Sequence, residues 1–224
     1  AVICTYNAFH YAQAELAVRL GFNVVCEKPL TTSLADAERL LETVRRFRPV
    51  FLTAYSYSGV AAVAALTGLV KGGGIGEIID AEASYLQEWL APDAAGVPPE
   101  RWPTHRPTAS QAAWRADPNL GGPSMTFADI GLHAFDCLID ICGFKPERVA
   151  ARLGVSVPGR RLDDHGWAVI DCGGVQARIF ASQVWRGEEN TLRLSIAGSK
   201  ATAYWEWGRK NCFVIRAQVG REET

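Results

Sequence analysis

Three short, nearly uninterrupted apolar runs near the N-terminus, Ala1–Cys4, Asn23–Cys26 and Val50–Ala54, constrain this chain more than any other feature. A strand with one face in water alternates polar and apolar residues, whereas a continuously apolar strand belongs in a parallel sheet covered on both faces. The segments between the runs read as helices. The first spans about Ala8 to Leu20 and is closed by Gly21, and the second starts at the capping pair Ser33/Asp36 and runs to about Phe47. Strand, helix, strand, helix, strand implies parallel βαβ units, the tail of a doubly wound sheet. Ligands of such sheets bind at the carboxyl ends of the strands, which here carry Thr5-Tyr6-Asn7 and Glu27-Lys28-Pro29. The chain opens without Met, inside the first apolar run, so the expectation is that sequence precedes it.

After Ser58 the pattern changes. A small-residue helix, Val60 to Val70, leads into Gly72-Gly73-Gly74, and then Ile79, Ala81, Ala83, Tyr85, Gln87 and Trp89 alternate as in a two-faced strand. Ala91 to Pro123 is loop-like, and loops of that length tend to carry function. Apolar spacing predicts a helix from Thr126 to Cys142, stopped by Gly143. Strands follow at Arg148–Val157, Gly166–Asp171, Val175–Trp185, Leu192–Ala197, Ala201–Trp207 and Cys212–Gln218, with tight turns at Gly173-Gly174 and Gly198-Ser199-Lys200. The expected fold is therefore α/β plus α+β. Residues 1–57 form part of a dinucleotide-binding (Rossmann) domain, and residues 58–224 an α+β domain with a large, mainly antiparallel open sheet.

Two groups of residues carry chemistry. Asp129 and His133 lie four apart on the predicted helix, so the carboxylate and the imidazole share a face. Pro29 keeps Lys28 extended at a strand end, where a cation can polarise a hydroxyl or stabilise an alkoxide. Alternatives stand beside these readings: Asp129 as a cap, His133 as a core histidine, Lys28 as one half of a solvated pair with Glu27. Tyr57, Gln87, Trp114 and Arg115 suit a polyhydroxylated ring, although Trp114 equally suits loop packing and Arg115 a surface ion pair. His165, after Asp163-Asp164, reads as a loop residue, and His105 is assigned to solvent.

Composition narrows the partners. A net charge of -1, with no basic block, argues against nucleic acid, and no apolar stretch is long enough for a membrane span. The six cysteines are scattered singly without a C-x-x-C pair, which points to reduced, buried thiols in a cytosolic protein and to no zinc site. A small molecule is the expected partner.

Taken in order, Thr5-Tyr6-Asn7-Ala8-Phe9-His10, Glu27-Lys28-Pro29 and Asp129-Ile130-Gly131-x-His133 resemble the Gfo/Idh/MocA family of NAD(P)-dependent oxidoreductases. The likeness continues through Gly76-Glu77-Ile78, Tyr85-Leu86-Gln87, Gln111 to Pro118, Val157-Pro158-Gly159-Arg160, Ala181-Ser182-Gln183-Val184 and Gly187-Glu188-Glu189-Asn190. The resemblance implies hydride transfer between NAD or NADP and a secondary hydroxyl of a sugar or cyclitol. It implies Lys28, Asp129 and His133 as the catalytic group, and Thr5, Asn7, His10, Glu27, Lys28 and Pro29 on the cofactor side. It also implies a homo-oligomer packed through the open sheet. On general chemical grounds His133 takes the hydroxyl proton, Asp129 orients it or binds a neighbouring hydroxyl, and Lys28 lowers the hydroxyl's pKa. The alternatives are an NAD-dependent glycoside hydrolase working by transient oxidation and a non-catalytic binding or dimerisation module.

The chain departs from the family pattern in three places. No G-x-G-x-x-G turn is present; its expected place is before Ala1, so the chain by itself is expected to bind dinucleotide weakly or not at all and to be inactive alone. Tyr6 stands where relatives more often have Pro, and Phe127-Ala128 replaces Gly-rich sequence before Asp129, which is expected to shift the helix start.

Overall fold

The first three apolar runs become strands β1 (Val2–Ile3), β2 (Val24–Cys26) and β3 (Phe51–Thr53), paired in parallel in the order β1-β2-β3. This is a computed structural model that describes residues 1–96, 98, 101 and 113–217. Helices α1 (Asn7–Arg19) and α2 (Leu34–Phe47) connect the strands. Ser33 caps α2 as its sequence requires: its Oγ accepts from the Asp36 amide and donates to the Asp36 carboxylate. Ile3, Val24 and Cys26 bury against Ala14, Val18 and Leu40 of the two helices.

The expectation of strands covered on both faces is corrected here, because among the described residues Val2, Val25 and Leu52 stay exposed. Two successive right-handed crossovers that step in the same direction place both helices on one face, and α1 packs directly on α2.

A 3-10 turn, Ser56–Gly59, and helix α3 (Ala61–Lys71) lead into the second sheet, whose strands are β4 (Ile78–Leu86), β5 (Arg148–Gly154), β6 (His165–Asp171), β7 (Gln176–Ser182), β8 (Thr191–Gly198), β9 (Ala201–Glu206) and β10 (Val214–Ala217). The order is β10-β9-β8-β4-β7-β6-β5, antiparallel except for the parallel pair β4–β7. One face carries Ala81, Ala83, Tyr85, Ile170, Ile179, Leu194 and Ile196 inward, and α3 and helix α4 (Leu132–Cys142) cover it. Alternation places Ile79 on that buried face, yet Ile79 is 63% exposed. A β-bulge between Ile78 and Asp80 takes Ile79 out of phase with the residues after it.

The expected helix from Thr126 is continuous but begins as a π turn, Phe127–Gly131, before its regular α portion, and Gly143 ends it in the left-handed region. His165, read as a loop residue, instead opens β6, with its Nδ1 2.7 Å from the buried Asp164 carboxylate. The cysteines are all unpaired, but Cys4 and Cys212 are exposed, which corrects the expectation that every thiol is buried. Both sit at chain positions just outside a strand, where no helix covers them. His105, Gln111, Ala112 and Gln218 lie outside the described residues. Among the described residues, no helix is long and apolar enough to cross a membrane and no cluster of His, Cys, Asp or Glu could hold a metal.

Candidate functional site

The carboxyl ends of β1 and β2 open into a small cavity of about 180 Å³. Thr5, Asn7, His10, Glu27, Lys28 and Pro29 line it from the Rossmann side, and Trp114, Arg115, Gly121, Ser124, Met125 and Asp129 from the other. Residues separated by a hundred positions in sequence therefore share one wall. A larger hollow, about 620 Å³, lies between the far side of α4 and strands β5–β7, but its walls are dominated by apolar residues such as Phe127, Leu132, Phe135 and Ile170.

Lys28, just past the end of β2, meets Asp129 in the π turn that opens the helix covering the large sheet. Lys28 Nζ donates to Asp129 Oδ1 at 2.7 Å and to the Asp129 main-chain oxygen at 2.6 Å. The π winding at Phe127–Gly131 makes this approach possible, since it opens the helix at the residue that must meet a cation from another element. Asp163, which sequence reading did not single out, secures that start: its two carboxylate oxygens accept from the Met125 and Phe127 amides at 2.9 Å each. The Lys28 and Asp129 side chains are only 13% and 20% exposed. Burial alone raises the Asp129 carboxyl, but the Lys28 and Arg115 charges and the Lys28 and Gln183 hydrogen bonds outweigh it and hold the group below the usual carboxylate range.

His133 lies one turn along, and its environment differs from the one its spacing implies. The Asp129 carboxylate is engaged by Lys28, Arg115 and Gln183, and His133 Nδ1 is buried without a hydrogen-bond partner among the described residues. Asp129 thus acts on the imidazole through charge and does not orient it by a hydrogen bond. The ring is positioned instead by edge-on aromatic contacts, at 5.0 Å from Tyr57 and 6.0 Å from Tyr55. Desolvation first, then the Lys28 cation, pushes the imidazole down to about 4, with the Asp129 charge only partly opposing them. The ring is neutral at physiological pH and can accept a proton.

The remaining candidates divide by what holds them. His10 is fully buried, with its two ring nitrogens 2.8 Å from the Pro29 oxygen and 3.0 Å from the Thr5 oxygen; the single N–H of a neutral ring donates to one strand-end loop while the ring packs against the other, and in this way it braces them. Asn7 donates to the Gly121 oxygen at 2.8 Å and ties α1 to the segment that carries Arg115. Gly121 is required there, because a Cβ would sit 2.6 Å from the Arg115 main-chain oxygen. Thr5 donates to Gln13, and Glu27 accepts from the Lys28 amide. Pro29 follows Lys28 through a cis peptide.

Trp114 lies 5.2 Å from the Tyr6 ring and under the Arg115 guanidinium, which gives Tyr6 a packing role. Tyr57 is buried in the large sheet's core, hydrogen-bonded to Tyr85, while Gln87 sits half-buried beyond the end of β4. Gln183 and Asn190 were quoted in the sequence only as parts of motifs. The one signal for Gln183 was a long polar side chain just past the end of β7, ahead of the apolar Val184-Trp185.

Comparison with known proteins agrees with this fold. Residues 63–204 match the family model described as the GFO/IDH/MocA C-terminal domain, and residues 1–55 match the oxidoreductase family model with an NAD-binding Rossmann fold. The chain is 24% identical over 219 residues to an uncharacterized oxidoreductase of Bacillus subtilis, covering 93% of this chain and 51% of that protein. It is 27% identical over 164 residues to levoglucosan dehydrogenase of Pseudarthrobacter phenanthrenivorans, covering 73% of this chain and 38% of that one. The inositol dehydrogenase homolog of Azotobacter vinelandii, solved with NAD+, superposes with a TM-score of 0.86 at 25% identity, covering 98% of this chain and 55% of that one. The chain thus spans 38% to 55% of the length of these proteins.

Proposed function

The chain belongs to the Gfo/Idh/MocA family of oxidoreductases, and on that footing we propose that the protein moves a hydride between a secondary hydroxyl of a sugar or cyclitol and NAD or NADP. One observation carries the reading. An ammonium and an ionised carboxylate line a cavity at the carboxyl ends of Rossmann strands, and a neutral imidazole lies one helical turn from that carboxylate, outside the cavity wall.

The residues present fit the nicotinamide end of a dinucleotide. The loops Thr5–Asn7 and Glu27–Pro29 offer main-chain and polar groups at the mouth of the parallel sheet, as the general rule for ligands of such sheets requires. When bound, the nicotinamide supplies the redox chemistry by taking hydride from the carbinol carbon. The chain supplies the proton chemistry. Two of the three Lys28 Nζ donors go to Asp129, and the third is assigned to the substrate oxygen, where it favours the alkoxide. His133, neutral and partly desolvated, takes the hydroxyl proton as hydride leaves. Asp129 stabilises the imidazolium that forms by charge, and it anchors Lys28.

Trp114 and Arg115 on the cavity wall are assigned to the substrate ring, and so are Tyr57, which packs against the His133 ring, and Gln87, which is linked to Asp129 through Gln183. In this reading residues 1–57 form the cofactor-binding part, from which Lys28 and Tyr57 reach toward the substrate, and residues 58–224 form the substrate-binding part. A second copy of the chain packs on the outer face of the large sheet, where Trp167 is 46% exposed.

The test is the absorbance of reduced nicotinamide across inositols, monosaccharides and anhydrosugars, with NAD and with NADP. A signal with one polyol that disappears in His133→Ala supports the proposal. No signal across the panel from folded protein that binds NAD retires it.

A further inference from the structure

Behind the Lys28–Asp129 pair runs a chain of hydrogen bonds that no residue spacing announces. Gln183, 0% exposed, donates from Nε2 to Asp129 Oδ2 at 3.0 Å and to Gln87 Oε1 at 3.2 Å, while its own Oε1 accepts from the Thr126 hydroxyl at 2.7 Å. Gln87 Oε1 also accepts from the Trp89 indole at 3.0 Å, and Gln87 Nε2 donates to Asn190 Oδ1 at 2.8 Å, which takes a second hydrogen bond from Tyr85. The amide orientations are dictated by groups that have only one role to play. An indole N–H can only donate, so Gln87 must turn its oxygen to Trp89, and that oxygen then calls for the nitrogen of Gln183. From the opposite side an ionised carboxylate can only accept, so Asp129 calls for the same nitrogen. Two independent anchors agree on one orientation of Gln183.

Its main chain is equally committed. The Gln183 amide donates to the Asp164 oxygen at 2.9 Å and its carbonyl accepts from the Leu90 amide at 2.9 Å. The side chain leaves a backbone held on both sides, at the point where β7 ends beneath the start of the π turn.

We propose that Gln183 is a positioning residue. It holds Asp129 Oδ2 so that Oδ1 stays on Lys28, and it links that pair to the substrate-side Gln87 as one rigid unit. Its meaning for catalysis rests on the dehydrogenase reading, whereas the link itself does not. The charged and titratable groups around it are Lys28 from the β2 end, Arg115 from the loop, Asp129 and His133 from the helix, and Tyr57 and Tyr85 from the core.

Two variants test it. Gln183→Glu keeps the shape but sets a second carboxylate against Asp129 Oδ2 and Gln87 Oε1, so it must hold a proton to stay folded, and its folded pKa rises. A raised carboxyl contributes stability that is present at acid pH and lost as pH climbs through the folded pKa. The thermal midpoint of Gln183→Glu should therefore lie about 5 °C below wild type at pH 8, a gap that narrows toward pH 5. Gln183→Met keeps the volume without the hydrogen bonds, and its gap should not vary with pH. If the Gln183→Glu gap is also independent of pH, or if Gln183→Met is as stable as wild type, the proposal is overturned.

In turnover, Gln183→Met should lower kcat by about 10- to 100-fold with KM little changed, as expected for a misplaced catalytic group. The acid limb of the Gln183→Glu rate profile should move to higher pH. Normal kcat in Gln183→Met overturns the positioning role. A wild type inactive on every polyol overturns the dehydrogenase reading instead, and the stability comparison alone then decides where Gln183 acts.

Discussion

Replacing His133 with phenylalanine tests the site at its most perturbed group. The imidazole ordinarily titrates at 6.5 and is held here at about 4, because burial and the Lys28 cation both oppose its charge. A histidine depressed in the fold is protonated more readily in the unfolded chain. Its contribution to stability is full above the unfolded value and is lost as pH falls from about 6.5 toward about 4. At 1.36 kcal/mol per unit, the cost to wild type of going from pH 7 to pH 5 is about 2 kcal/mol from this residue. For a chain of this size that corresponds to roughly 4–8 °C in the thermal midpoint. Asp129 does not blur the window, since its carboxyl sits below the usual range and stays ionised at pH 5.

Phenylalanine suits the site, whose neighbours are the rings of Tyr57 at 5.0 Å, Tyr55 at 6.0 Å and Tyr85 at 6.2 Å. The assay is thermal unfolding of wild type and His133→Phe between pH 5 and pH 7.5, followed by tryptophan fluorescence and circular dichroism. Subtraction removes every group the two proteins share, so the variant should lose about 2 kcal/mol less on acidification. If the two curves run parallel, His133 is not held neutral by the fold, and its assignment as a base loses its physical ground.

Two further perturbations probe the framework. Asp129→Asn leaves the Lys28 ammonium without its carboxylate in a mostly buried setting and should cost about 2–3 kcal/mol in urea unfolding, and adding Lys28→Met should recover much of that loss; a double variant no more stable than Asp129→Asn would mean the pair is not coupled. His10→Leu removes the brace between the Pro29 and Thr5 oxygens and should cost about 1–3 kcal/mol while weakening NAD binding, and unchanged stability in the variant would show that the brace is idle.

Local pattern was enough to place most elements. The Ser33/Asp36 box, the Gly143 stop and the inward set Ala81, Ala83 and Tyr85 all follow from interactions within a few residues or from strand alternation, and these need no knowledge of the rest of the chain. Ile79 escaped, because a bulge is set by pairing with β8 and leaves no mark in the sequence of β4 alone. The one-sided cover of β1–β3 escaped as well, since apolar composition reports that a strand can be buried and the handedness of the crossovers decides which face is.

For the site, the sequence by itself determined which groups can do chemistry, Lys28 at a strand end and Asp129 with His133 on one helix. Spacing also placed Asp129 and His133 within a turn of each other, as observed. What it could not determine is how those groups are shared out. The Asp129 carboxylate goes to Lys28, 101 residues away, and to Gln183, 54 residues away, which leaves His133 to be tuned by burial and charge. Helical periodicity is a property of neighbours. A hydrogen bond is won by whichever donor the fold brings within 3 Å, and only the packing of two sheets against one helix decided that.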